Sequence, residues 1–376
     1  MFQMLKLKEL SFLVYGMGLS GHSVIRFFKK NKIKNFKVWD DNKKKLIKEY
    51  KPKKLHQTLK KVDYIILAPG ISLLKNNHLK KFEKKIITDI DLFYLTKRIH
   101  KSIVVTGTNG KSTTCKLIAH LLKKNNFNVS LGGNIGTPVL DLKILKKNYV
   151  IIEASSFQLS HSKFIRPDYA FFLNATNDHL DWHRNNSHYL NSKLKIFNLQ
   201  NQNQYAFLNK KFEKTFRKKN FYSKLILPNF KNYKKLKSKI NNDYLLSNIN
   251  DENMSFVYTF SKLLKIKDKN FIIAMKSFKG LPHRFETFFK KKGITFINDS
   301  KATSFKATES ALSSLKNIYL ILGGLPKRGD KIQLTKFKSK IIKCFLIGKN
   351  INFFKKQIKN IVNISETKNL KNTIIQ

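Results

Sequence analysis

Thr106-Gly107-Thr108-Asn109-Gly110-Lys111-Ser112-Thr113 is the stretch that decides how this chain is read. It follows Ser102-Ile103-Val104-Val105, a short apolar run that reads as a buried strand, and it opens the helix-like run Thr114–Leu122. A glycine-rich turn between strand and helix aims backbone N–H groups and the positive end of the helix at one point. That point suits phosphate, Lys111 adds a mobile charge, and the hydroxyl of Ser112 or Thr113 can reach Mg²⁺. The full P-loop pattern asks for glycine at position 105, where Val105 stands, so the loop is a shortened relative. A glycine turn with a chance lysine is the competing reading. The agreement of strand, turn, Gly-Lys-Ser and helix argues against it, and the loop predicts a nucleoside triphosphate site.

Composition bounds the rest. A chain of 376 residues with 41% apolar content predicts two or three domains with cores of their own. No apolar run approaches the ~18–20 residues of a membrane span, and Lys6, Lys8 and Glu9 interrupt any signal-peptide core. A cytoplasmic protein without membrane contact is expected. Cys115 and Cys344 form no CxxC pair, which argues against a disulfide framework or a zinc site. The 75 Lys and Arg against 23 Asp and Glu leave a net charge of +52. Such a charge suits nucleic acid, yet the lysines are spread over the whole chain among Asn, Ile and Phe, with no basic arm or helix-turn-helix pattern. Compositional drift is the preferred reading and a nucleic-acid partner is not expected, although anionic substrates gain from the field.

Strands alternating with helices predict an α/β protein with parallel sheets. Residues 1–97 read as a Rossmann-like unit. The strand Ser11–Tyr15 runs into Gly16-Met17-Gly18-Leu19-Ser20-Gly21, and the strand Asn35–Trp39 ends at Asp40-Asp41, about twenty residues after the glycines. Asp63–Leu67 then leads to Ala68-Pro69-Gly70. Residues 98–279 hold the phosphate loop and the strands Tyr149–Glu153 and Tyr169–Leu173, with 205–245 rich in Lys and Asn and undetermined by pattern. Residues 280–376 carry the strands Ile294–Ile297, Ile318–Leu322 and Lys343–Ile347 and a helix near 306–316.

Three polar clusters follow strands. Glu153 ends one strand before Ala154-Ser155-Ser156, where a carboxylate can bind the metal of a triphosphate. Asn174–His183 follows another: His179 suits a metal or substrate, and His183 is expected at the surface. Lys193 lies on a helix-like run whose plain reading is a solvated face. His283-Arg284 and Asn298-Asp299-Ser300-Lys301-Ala302-Thr303 offer cations and hydroxyls to anionic oxygens, and Arg284 suits the charge of a transferring phosphoryl group.

Together these motifs resemble the Mur ligases, the ATP-dependent amide-bond-forming enzymes of peptidoglycan synthesis. The resemblance covers nearly the whole chain. Residues 107–113 match the family's phosphate loop, Glu153 and His179 its metal-binding pair, and Lys193 a carbamylated lysine that helps hold a second Mg²⁺; Ser112 completes the implied metal set. Asp299–Thr303 matches the branch that adds D-glutamate to UDP-N-acetylmuramoyl-L-alanine. The resemblance implies that Leu19, Ser20, Asp40, Asp41, Gly70 and Asn134 contact the UDP substrate. It implies ATP contacts from Gly107, Thr108, Asn109, Gly110, Lys111, Ser112, Thr113, Asn250, Asn253, Arg284, Asp299 and Lys301, and D-glutamate contacts from Thr303 and Lys327. It further implies a monomer whose catalytic residues are Lys111, Glu153, His179 and Lys193. Another ligase of the family with a different amine donor, and a degenerate nucleotide- or nucleic-acid-binding chain without turnover, are the alternatives. Ile249 stands where the family has histidine, and Ala68 where serine is common. The family continues beyond the position of Gly348 through another strand and a serine- and phenylalanine-bearing motif, and that segment is expected to be absent here. With the chain ending at Gln376, the third domain is expected to be incomplete.

Overall fold

Apolar side chains on both faces of each strand make the first sheet. In β1 (Phe12–Tyr15), Phe12 and Val14 enter one core while Leu13 and Tyr15 enter another on the opposite face. Strands buried on both sides form parallel sheets under helical layers. Accordingly β1, β2 (Phe36–Trp39), β3 (Tyr64–Leu67) and β4 (Ile86–Ile87) pair in parallel in the order β2-β1-β3-β4. The structure, a computed structural model, describes residues 2–42, 47–96, 101–176, 182–246, 250–302, 305–326, 331–367 and 369–375.

The second sheet has six parallel strands: β5 (Lys101–Thr106), β6 (Asn128–Gly133), β7 (Asn148–Glu153), β8 (Tyr169–Phe172), β9 (Tyr205–Leu208) and β10 (Lys224–Ile226). Their order is β10-β9-β8-β5-β7-β6. From β5 the chain runs to the far edge, returns as β7, and then crosses to the other flank as β8. The strand order therefore reverses at β5, and in open α/β sheets that reversal opens the ligand crevice at the carboxyl ends. One core, including Val14, Val104, Ile152 and Phe172, is shared by the two sheets.

These sheets lie in a compact unit formed by Met1–Leu236 and Asn253–Met275; Lys237–Glu252 and Lys276–Gln376 form a second unit. The second holds an antiparallel pair, β11 (Glu286–Lys291) and β12 (Ile294–Asn298), and a parallel sheet of β13 (Ile318–Gly323), β14 (Ile341–Ile347) and β15 (Ile364–Thr367). Leu312, Leu334, Cys344, Leu346 and Ile358 fill its core. No helix among the described residues is long and apolar enough to cross a membrane.

Two expectations change here. A further strand does follow Gly348: β15 pairs in parallel with β14. Its sequence, Ile-Ser-Glu-Thr, has one apolar side chain and no period that pattern reading can detect. In the antiparallel pair β12 covers the expected strand Ile294–Ile297, and β11 is additional, because Glu286–Lys291 mixes polar and aromatic residues without alternation and is exposed along most of its length. The indeterminate segment 205–245 resolves into β9, β10 and the helices Glu213–Lys218 and Phe230–Ile240.

The first glycine turn is fixed by close approach. A Cβ on Gly21 would lie 2.0 Å from the Gly16 carbonyl oxygen, and one on Gly16, at φ +103, would lie 2.5 Å from the Ala68 Cβ. Gly18 meets nothing within 4 Å, so its face of the turn is open. Gly21→Ala is expected to lower unfolding free energy by about 2–3 kcal/mol in urea titrations, whereas Gly18→Ala should leave stability nearly unchanged; equal effects would contradict this packing.

Candidate functional site

The phosphate loop leaves β5 at the point of strand reversal. Gly110 precedes the helix Lys111–Lys124 with φ +80, a left-handed conformation that glycine adopts without strain. A Cβ there would lie 2.2 Å from Asn253 Oδ1. Asn253 therefore packs directly on the loop, and its Oδ1 accepts from the Thr114 hydroxyl at 3.3 Å. Ser112 and Thr113 are buried in the first helical turn, where the helix dipole favours negative charge.

A turn that aims its N–H groups outward has no ladder to hold it, so side chains do that work. Asn174, just past β8, accepts from the N–H groups of Thr108 (3.0 Å) and Asn109 (2.9 Å) through Oδ1. Its Nδ2 donates to the Asn109 carbonyl at 3.3 Å. Lys111 Nζ donates to the Gly107 and Thr108 carbonyls, each at 2.8 Å. Lys193 Nζ reaches the same Gly107 carbonyl at 2.8 Å. Lys193 is only 1% exposed, which overturns the solvated-face reading of its helix, Asn186–Leu194. The two ammonium groups thus hold the first carbonyl of the loop from two elements.

Glu153 ends β7 directly beside Val105 of β5 and is 3% exposed. Asn134 Nδ2 donates to Glu153 Oε1 at 2.8 Å, so a residue assigned to the UDP substrate also holds the carboxylate. Glu153 Oε2 is buried with no hydrogen-bond partner among the described residues. A buried carboxylate oxygen without a donor is costly unless a cation meets it. That orphaned oxygen and the Ser112 hydroxyl are hard oxygen donors of the kind Mg²⁺ prefers, and Mg²⁺ takes few protein ligands when it binds with phosphates. The donor set fits the metal. The described residues contain no group of three His, Cys, Asp or Glu side chains that could hold an ion. His179 lies outside the described residues.

At the carboxyl edge of the first sheet stand Leu19 and Ser20 after β1, Asp40 and Asp41 after β2, and Gly70 after β3. Asp40 Oδ2 accepts from the Met17 N–H at 2.6 Å and fixes the glycine turn. Asp41 Oδ1 accepts from the Tyr15 hydroxyl at 2.8 Å and from the Trp39 indole at 3.0 Å. Leu19 is 78% exposed, an apolar side chain presented at the open turn.

The second unit brings Arg284, Asp299 and Lys301 together. Asp299 Oδ1 accepts from the Phe285 N–H at 2.9 Å, and the Lys301 N–H donates to the His283 carbonyl at 3.0 Å. Burial raises the Asp299 carboxyl above its ordinary value, while the Phe285 N–H and Arg284 pull it back. His283 (φ +62) and Phe285 (φ +49) are both left-handed, and strain of this kind gathers at functional turns. Asn250, in the same unit, is buried and donates to the Tyr244 carbonyl at 2.8 Å. Thr303 and Lys327 lie outside the described residues.

His183 corrects the sequence reading, for it is fully buried. Nε2 lies 3.0 Å from the Ser156 hydroxyl and Nδ1 3.0 Å from His188 Nδ1, and Phe157 stacks on the ring. Sequence reasoning also missed Asn174 as the loop's anchor, although its place one residue past a strand is the same signal that found Glu153. Tyr189, buried in the helix of Lys193, was missed as well, because aromatic residues on a helix read as core.

Residues 105–278 match the Mur ligase middle domain. A UDP-N-acetylmuramoylalanine--D-glutamate ligase from Rickettsia felis is 34% identical over 339 residues, covering 82% of this chain and 74% of that protein. One from Wolbachia pipientis is 30% identical, covering 98% of this chain and 88% of that protein. Among solved structures, a UDP-N-acetylmuramate-alanine ligase from Thermotoga maritima has a TM-score of 0.58 at 15% identity, covering 97% of this chain and 92% of that one. A MurF ligase from Thermotoga maritima, solved in complex with ADP, has a TM-score of 0.55 at 16% identity, covering 96% and 86%. Both share the fold.

His161 gives the region a pH signature. Burial drives its imidazole from 6.5 down to about 4, helped by the nearby charges of Lys195, His188 and Lys163. The unfolded imidazole binds protons more tightly, so this contribution is complete above pH 6.5 and is lost as pH falls toward 4. On the order of 3 kcal/mol is at stake. Unfolding free energy measured from pH 7 to 4 should fall less steeply for His161→Phe than for the parent chain; identical slopes would refute the assignment.

Proposed function

The chain belongs to the Mur ligase family, and on that premise we propose that it joins D-glutamate to UDP-N-acetylmuramoyl-L-alanine, driven by cleavage of ATP to ADP and phosphate. The observation that supports this most is the convergence of Lys111 and Lys193 on the Gly107 carbonyl, at the point where the strand order reverses.

The work divides along the chain. Residues 1–97 take the UDP end of the substrate, with Leu19, Ser20, Asp40, Asp41 and Gly70 at one sheet edge and Asn134 nearer the reacting carboxylate. Residues 98–279 take the triphosphate, with the loop 107–113 and Lys111 around its phosphates and Asn253 beside the loop. Residues 280–376 supply Arg284, Asp299 and Lys301 to the nucleotide, and Thr303 and Lys327 to D-glutamate. Asn250 completes the adenine side.

In the reaction, the alanyl carboxylate attacks the γ-phosphorus of ATP. The bond to the bridging oxygen breaks, ADP leaves, and an acyl phosphate forms. The amine of D-glutamate then attacks the activated carbonyl, phosphate departs with the bonding pair, and the amine loses a proton as the amide forms. Two anions must meet in the first step, and the chain's answer is positive charge held in place beforehand. Lys111 is positioned by two carbonyls before any ligand arrives. Mg²⁺, held by Ser112, Glu153, His179 and a carbamylated Lys193, would lower the charge that the attacking carboxylate meets. Glu153 is kept in orientation for that task by Asn134.

Phosphate release should require UDP-N-acetylmuramoyl-L-alanine, D-glutamate and ATP together, and should not be supported by L-lysine, L-alanine or meso-diaminopimelate in place of D-glutamate. Equal turnover with another of these amines would reassign the branch, and ATP cleavage without an amine would leave only the nucleotide site. Lys193→Ala is expected to lower kcat by about 100-fold or more; full activity in that variant would remove Lys193 from the mechanism.

A further inference from the structure

We infer that Tyr189 is a positioning residue for ATP, acting through the hydroxyl of Thr108 to set the direction of the phosphate loop. The inference rests on the reading of residues 107–113 as a triphosphate cradle and adds to it a residue that touches no substrate.

Tyr189 and Lys193 stand four residues apart on the helix Asn186–Leu194, and therefore on one face. Both meet the loop, at consecutive residues: the Lys193 ammonium at Gly107 and the Tyr189 hydroxyl at Thr108 Oγ1, 2.8 Å away. The Lys193 Nζ also lies 4.6 Å from the centre of the Tyr189 ring. One helix face thus holds the start of the loop by two adjacent residues.

Hydrogen-bond arithmetic ties the direction of the Tyr189 contact, in which either hydroxyl could donate, to what Thr108 does with its own proton. The Thr108 hydroxyl has one proton to give and two lone pairs to fill. The Thr176 N–H donates to it at 3.0 Å, and the Thr176 carbonyl lies 3.3 Å away as an acceptor. If Thr108 gives its proton to Thr176, Tyr189 must donate to Thr108, and every position is then satisfied. Tyr189 is 2% exposed, so its hydroxyl lies away from bulk water, where losing a hydrogen bond is expensive. The Thr108 N–H is held by Asn174 at the same time. The residue is pinned at side chain and backbone, which sets the path of the loop from Gly110 onward by construction rather than by the ligand.

Tyr189→Phe removes the hydroxyl alone and keeps the ring against Lys193. ATP with Mg²⁺ should be titrated calorimetrically into the full-length parent chain, Tyr189→Phe, Thr108→Val and the Tyr189→Phe/Thr108→Val double variant, with thermal unfolding of each. Tyr189→Phe is expected to weaken ATP by about 3- to 10-fold, to raise KM for ATP alike, and to leave KM for the UDP substrate within about 2-fold. The double variant should bind no more weakly than Thr108→Val. Parent-like ATP affinity in Tyr189→Phe, multiplicative losses in the double variant, or equal rises in both KM values would overturn the inference while leaving the triphosphate site intact. Failure of the parent chain itself to bind ATP would remove the cradle and the inference with it.

Discussion

The backbone of residues 107–110 is the constraint on which the rest of this unit depends. A turn that points its N–H groups at a ligand forgoes the internal hydrogen bonds by which helices and strands hold themselves. Its geometry must be imposed from outside, and the neighbouring elements do so. Asn174 from the end of β8 takes two N–H groups and returns one donor. Lys193 and Tyr189 from one helix hold Gly107 and Thr108. Asn253 closes the space where Gly110 has no side chain. Preorganisation of this kind is what makes fixed dipoles effective, because no reorientation remains when charge develops on the substrate.

That constraint also explains what could be read from the sequence. The strands buried on both faces announced themselves as apolar runs, and the phosphate loop as a glycine turn between strand and helix. Glu153 was legible because strand ends at a sheet's carboxyl edge face the ligand. Lys193 and His183 were not. A lysine among polar residues on a helix reads as solvated, and only the fold reveals that its face packs on the loop. Two histidines four residues apart read as surface groups, yet the aromatic rings of Phe157, Trp182 and Tyr189 enclose His183. The resemblance to a family, not the spacing of residues, supplied the role of Lys193.

The second unit was legible in its apolar strands and not in its edges. β13 and β14 carry runs of Ile, Leu and Phe that pack on Leu312 and Ile358. β15 contributes one apolar side chain and owes its strand to the neighbour it pairs with. The turn at His283–Phe285 has two left-handed residues, neither of them glycine or asparagine. Nothing in the local sequence asks for that conformation. It is held from outside: Glu286 Oε2 accepts from the His283 N–H at 2.7 Å, and Asp299 from that of Phe285. The carboxylate assigned to the nucleotide is thus the same group that maintains the turn presenting Arg284.

The charge of +52 takes on a different meaning once the lysines are sorted by surroundings. A lysine on the surface acts within a screening distance of about 8 Å at physiological salt, so most of the excess is spent on water and counterions. Lys111 and Lys193 belong to another class. Both ammonium groups are held by carbonyl oxygens at 2.8 Å, beside a loop whose N–H groups already favour anions. Glu153 adds a buried carboxylate whose Oε2 has no hydrogen-bond partner among the described residues, so fixed charge of both signs lies at the carboxyl end of β5.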